Sequence, residues 1–164
     1  MKRAILLFLF IPFFCFSQKA VTFDYPAQLN KDTIAKQTKI INNIFLQEKF
    51  SLLIGSNGCF HSVSVEYAFI KKVNYFEVAY VKRYNPKDKT IKCKGTVKLS
   101  NEKMEQIHKL CTHGLNIPIG GCTTSVAFEL SDKTQRVSFS DDRCAHEDDI
   151  MNRIGEIVGV CKDL

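Results

Sequence analysis

The chain has 164 residues, with 23 lysines and arginines against 17 aspartates and glutamates, seven cysteines and no tryptophan. That length supports one domain with a single core, and no Gly/Ser/Pro-rich linker divides it. Beyond the first 17 residues no apolar stretch approaches the length of a membrane span, so no transmembrane segment is expected there.

The first element is a leader. Lys2 and Arg3 give it a positive start, and Ile5 to Phe16 form an apolar run broken only by Pro12, too short to anchor in a bilayer. Cys15 and Ser17 place small residues where a signal peptidase needs them, which predicts cleavage before Gln18. Acylation at Cys15 is disfavoured by the bulky Phe14 before it. The ending Phe16-Ser17-Gln18 resembles export signals common in Bacteroidetes-type bacteria, whose destinations are periplasm, outer membrane or medium. The expected organisation is therefore a signal peptide over 1–17 and a single exported α+β domain over 18–164. Removing 17 residues from 164 leaves 147, and losing Lys2 and Arg3 leaves 21 basic against 17 acidic residues, a net +4.

A first helix is predicted over about 32–47, with Asp32 as N-cap and Ile34, Ile41 and Phe45 near helical spacing. Phe50 to Ile54 reads as a buried strand ending in a turn at Gly55-Ser56-Asn57-Gly58. Val63, Val65, Tyr67 and Phe69 then alternate with polar residues, the period of a half-buried strand, and Phe76, Val78 and Tyr80 mark its hairpin partner. After a turn at Asn85-Pro86-Lys87-Asp88, Ile91, Cys93, Val97 and Leu99 alternate with Lys92, Lys94, Thr96 and Lys98. Ser100 can cap a helix bearing Met104, Ile107, Leu110 and Cys111 on one face, with Gly114 placed to end it in a left-handed conformation. Thr124 to Leu130 and the strand through Val137 and Phe139 form a second hairpin. Glu147, Asp148 and Asp149 suit the positive end of a last helix with Ile150, Ile154, Ile157, Val158 and Cys161 along one stripe. Strands followed by a helix, twice, predict an α+β fold: an antiparallel sheet of about five to six strands with helices packed on one face. Gly58-Cys59 and Gly121-Cys122 each enter a strand, and Cys111 and Cys161 each fall late on a helix; internal duplication and ordinary turn chemistry both account for that echo.

Six cysteines remain after the leader: Cys59, Cys93, Cys111, Cys122, Cys144 and Cys161. In an oxidising compartment an even, dispersed set reads as disulfides. With a hairpin tip at Asp132-Lys133, Cys122 falls opposite Arg143, which favours a Cys122–Cys144 bridge; the layout suggests Cys59–Cys93 and Cys111–Cys161 for the rest.

Three of the four histidines follow a cysteine by two residues: His61 after Cys59, His113 after Cys111 and His146 after Cys144. Thiolate and imidazole are both zinc ligands, and a thiolate beside imidazolium is an activated nucleophile. The close ligand pairs of zinc sites are missing, as are Gly-x-Ser-x-Gly, Cys-x-x-Cys, His-Glu-x-x-His and glycine-rich phosphate loops, so no cofactor and no catalytic residue is assigned. A metal-binding protein or hydrolase built on these Cys/His neighbourhoods is the alternative function.

Charge is the second signal. Nine basic residues lie between Lys71 and Lys98 against only Glu77 and Asp88. Lys82, Arg83, Lys92, Lys94 and Lys98 form a candidate basic face, with tyrosines nearby, suited to an anionic envelope component such as a glycan or lipid headgroup, or to an acidic protein. Nucleic acid fits the charge but not the exported location. Lysines on an edge strand also deter edge-to-edge association without binding anything. The pattern Gly58-Cys59-Phe60-His61-Ser62, Leu99-Ser100 and Gly121-Cys122-Thr123-Thr124-Ser125 resembles small uncharacterised secreted bacterial proteins, a resemblance that implies no activity. The expected function is a noncatalytic binding or interaction module of the cell envelope.

Overall fold

The computed structural model describes residues 30–58, 62–84, 90–115, 125–141 and 150–161. Its first helix, α1 (Lys31–Phe45), is started by Asn30, whose Oδ1 accepts from the Thr33 N–H at 2.8 Å. The cap is thus two residues earlier than Asp32, which instead places its carboxylate in the first turn, against the positive helix end.

Strand β1 (Lys49–Asn57) runs straight through Gly55, Ser56 and Asn57, where a turn was expected. The reason is pairing on both edges: Gly55 stands opposite Ser64 of β2 (Ser62–Lys71) and Ala127 of β5 (Ser125–Ser131). Two continuous ladders satisfy the backbone and override the local turn preference of glycine and asparagine. With β3 (Phe76–Tyr84), β4 (Ile91–Leu99) and β6 (Arg136–Asp141), the six strands form one antiparallel sheet in the order β4-β3-β2-β1-β5-β6. The first four strands are a meander. Helix α2 (Asn101–Gly114) then returns the chain past the meander to the free edge of β1, where β5 and β6 make the second hairpin. Among the described residues four strands precede α2 and two lie between α2 and α3 (Ile150–Val158), so β1 and β4 have no counterpart in the second half.

Alternation decides the core. Phe50, Leu52 and Ile54 of β1 share a cluster with Val65, Tyr67, Phe69, Phe76, Val78, Phe128, Leu130, Val137 and Phe139 from the other strands. Ile41 and Ile44 of α1, Met104, Ile107 and Leu110 of α2, and Ile150, Ile154 and Val158 of α3 join the same cluster. The fold is therefore α+β around one core. Within it Phe50 stacks on Phe69 with centroids 4.6 Å apart, and Phe128 on Phe139 at 4.7 Å. Burial of such side chains contributes about 1.5–3 kcal/mol each before the entropy of ordering them is counted.

Ser100 caps α2 as expected, its Oγ accepting from the Lys103 N–H at 3.3 Å. Gly114 does not take the left-handed role: it lies inside the helix, and Leu115 is the C-cap with φ −64°. Its lack of a side chain serves packing instead, because a Cβ there would sit 2.5 Å from Cε2 and 2.6 Å from Cδ2 of the buried Phe139 ring. Left-handed geometry appears after α3, at Gly159 (φ 78°) and Cys161 (φ 56°), so Cys161 lies past the helix rather than on its apolar stripe.

Gly114→Ala is expected to lower the unfolding free energy by about 1–3 kcal/mol through overpacking against Phe139. Urea denaturation followed by circular dichroism measures it, and a stability equal to that of the parent would contradict the close approach.

Candidate functional site

The register of β4 determines which lysines can act together. Val81 stands opposite Lys94, Ala79 opposite Thr96 and Glu77 opposite Lys98, while Tyr80 pairs with Gly95 and Lys82 with Cys93. Tyr80 belongs to the core, so Lys94, Thr96 and Lys98 project from the other face of the sheet, and all three are exposed. Gly95 leaves room for the Tyr80 ring, whose Oη would be 2.7 Å from a Cβ at that position. Between Lys82 and Arg83 the register shifts, so that Arg83 pairs with Ile91 and Lys92 becomes the extra residue of a bulge.

The five basic residues singled out by sequence therefore do not form one face. Arg83 joins Lys94 and Lys98; Lys82 is half-buried on the core side between Val65 and Cys93. Lys92 is engaged by Tyr84, donating from Nζ to the phenol oxygen at 2.8 Å and lying 4.6 Å from the ring centroid. That hydrogen bond and charge hold the Tyr84 phenol below its usual pKa. Arg83 meets Glu66 at 3.3 Å, an exposed pair, and the Lys98 ammonium sits 5.1 Å from the Tyr75 ring centroid. The shift was not legible in strict alternation, because a single bulged residue reverses the parity of everything before it.

Sulfur is arranged differently from the expected pairing. Cys93 and Cys161 form a disulfide, with Cα atoms 6.1 Å apart, which replaces both Cys59–Cys93 and Cys111–Cys161. Cys111 is a free thiol, fully buried on the inward stripe of α2 beside Ile107 and Leu110. Burial pushes its pKa up to about 12, leaving almost no thiolate for nucleophilic chemistry. Cys161 reaches β4 because the chain reverses at Gly159 and leaves the axis of α3. The second hairpin turns at Lys133-Thr134, one residue later than the tip from which Cys122–Cys144 was counted; both of those cysteines lie outside the described residues.

Of the three Cys-x-His pairs, only Cys111 and His113 fall within the described residues, and His61 and His146 do not. Cys111 is buried and His113 exposed, as residues two apart on a helix must be when one faces the core, so the two cannot converge on one ion. Among the described residues no group of three His, Cys, Asp or Glu side chains is placed to hold a metal. His113 instead lines an open groove of about 370 Å³ with Gln106, Lys109, Leu110, Arg153 and Ile157. His108, which carried no sequence signal, bonds through Nε2 to Oδ1 of Asn42 at 2.8 Å and packs edge-on against Phe45. Burial pushes its imidazole pKa down, and its hydrogen bond links α1 to α2.

No family model and no curated protein matches this chain. No helix among the described residues is long and apolar enough to cross a membrane.

Two consequences are measurable. With Cys93 and Cys161 bridged and Cys111 free, three of the six cysteines beyond Gln18 remain, an odd number, so a monomer that begins at Gln18 retains two or four thiols when unreduced. Alkylation under denaturing conditions and intact-mass measurement counts them; none would contradict a free Cys111 and six would contradict the bridge. Cys161→Ser opens a loop with sequence separation 68, and loop-closure entropy of that size sets an expected loss of about 4 kcal/mol. Denaturation curves should differ without dithiothreitol and coincide with it.

Proposed function

We propose that this protein is an exported, noncatalytic binding module of the cell envelope, and that it docks an anionic component on the sheet face that carries Arg83, Lys94 and Lys98. The observation that carries this reading is the Lys94-Thr96-Lys98 row. The two lysines project from the face opposite the core, their backbone positions about 13 Å apart along the strand. Neither is in an ion pair among the described residues. Arg83 extends the row onto β3, and its exposed contact with Glu66 is weak enough to exchange for a ligand anion. Lys94, which stands opposite Val81, keeps a positive charge available to steer an anionic partner, and Lys98 adds to it although Glu77 stands opposite. The hydroxyl of Thr96 adds a neutral donor between the cations.

Export is supported by the Lys2-Arg3 start, the Ile5–Phe16 apolar run and the small residues at Cys15 and Ser17. The Cys93–Cys161 bridge accords with an oxidising destination, since disulfides persist there and are rare in reducing compartments. The buried, high-pKa thiol of Cys111 argues against its use as a nucleophile.

Replacing both Lys94 and Lys98 with glutamate should weaken retention on isolated envelope material by about tenfold, and retention of the parent should fall as salt is raised. Both side chains are exposed, so circular dichroism should be unchanged. Retention that is unaltered by the substitutions and insensitive to salt would overturn the reading.

A further inference from the structure

At the opposite end of the molecule from the Tyr84-Lys92 contact, two apolar side chains stand in the open. Val73 is 95% exposed and Leu46 is 71% exposed, the two highest values among the exposed large hydrophobic residues described. Val73 and Asn74 are the central residues of the β2–β3 turn, closed by the Lys72 N–H donating to the Tyr75 carbonyl at 2.9 Å. Leu46 is the C-cap of α1, two residues before Glu48. The Lys71 N–H donates to the Glu48 carbonyl at 2.8 Å, and Lys49 pairs with Ile70, so both turns leave the same end of the sheet from neighbouring strands.

The charge around them is positive. Lys71 and Lys72 immediately precede Val73, Lys49 follows the Leu46 turn, and Lys98, near the same end of β4, lies over the ring of Tyr75. Against these stand Glu48, in the same turn as Leu46, and Glu77, which Lys98 faces directly.

We infer that this end of the protein docks on an anionic lipid surface, inserting Val73 and Leu46 at the headgroup boundary while Lys49, Lys71, Lys72 and Lys98 contact lipid phosphates. The inference rests on the binding-module reading and names its partner, but it uses the turn end of the sheet as well as its basic face. Exposed apolar side chains on two turns at one end of the sheet, with lysines and a tyrosine in the same turns and strand ends, suit a soft interface: lipid closes around an exposed side chain, whereas a folded protein must supply a matching pocket. Apolar insertion and lysine attraction add, and neither alone gives stable attachment. Tyr75 presents an apolar ring and a polar hydroxyl, the combination that settles at headgroup level.

The native chain contains no tryptophan, so Val73→Trp introduces a single tryptophan at the tip, excited apart from the tyrosines at about 295 nm. Titration of this variant with vesicles of phosphatidylethanolamine and phosphatidylglycerol should shift its emission to the blue and strengthen sedimentation with the vesicles. Vesicles of phosphatidylcholine alone should do neither. In the otherwise native chain, Val73→Asp and the Lys71→Glu/Lys72→Glu pair should each reduce binding to the anionic vesicles by about tenfold or more. Unshifted emission, or a Val73→Asp chain that sediments as well as the parent, would overturn the inference. If vesicle binding is absent while retention on envelope material still depends on Lys94 and Lys98, lipid docking falls and the partner is an acidic protein or glycan. If vesicle binding holds while retention ignores Lys94 and Lys98, lipid docking stands and the sheet-face reading falls.

Discussion

The constraint on which the rest depends is the pairing of β1 on both of its edges. One strand carries two registers, Leu52 opposite Tyr67 on one side and opposite Leu130 on the other. These registers propagate outward, from Tyr67 to Tyr80 and from Tyr80 to Gly95. Because side chains alternate along each strand, the inward direction of Leu52 fixes which residues of β4, three strands away, face out. A slip of one residue along the β1–β2 ladder would set the core face of β1 against the outer face of β2, β3 and β4. The basic row is therefore a consequence of core packing in a strand that contains none of it.

The same constraint explains the bridge. β4 is an edge strand with one neighbour, and Cys93 is on its core-facing side, near the place where the core thins out. Cys161, carried back by two residues of positive φ, ties that edge to the end of α3, a helix of nine residues too short to be stable alone. The covalent link thus joins the last helix to the outermost strand of the meander. Cys111 sits where the core is already dense, flanked by Ile107 and Leu110, and behaves there as a small apolar side chain.

Much of the fold was legible in sequence because period and position agreed. The stretch from Val63 to Phe69, the Ser100 cap and the Ile150-Ile154-Val158 stripe each required only local reading. The misreadings occurred where a distant residue decides. Gly55 is a strand residue because β5 arrives from beyond α2, and Gly114 is a packing residue because Phe139 crosses it. The disulfide partners were unreadable for the same reason, since Cys161 reaches Cys93 only through the reversal at Gly159. At the candidate site, sequence identified the basic stretch but not its partition, which depends on one bulged residue, Lys92.

Two explanations compete for the lysines of β4, and they differ in what else they explain. Edge protection accounts for Lys92, Lys94 and Lys98, because charged residues on an outer strand obstruct pairing with another sheet. It does not account for Val73. The β2–β3 turn has no edge to guard, and neither Val73 nor Asn74 takes a positive φ, so the turn backbone leaves the residue type at its centre open. A side chain 95% exposed at that tip gains nothing from the fold, and Lys71 and Lys72 beside it gain no ion pair among the described residues. Protection against other strands and attachment to an anionic surface are compatible uses of the same lysines, but only attachment gives the valine a role. The Lys98 ammonium over Tyr75 links the two regions: the row that begins at Lys94 on the open sheet face ends at the turn that presents Val73.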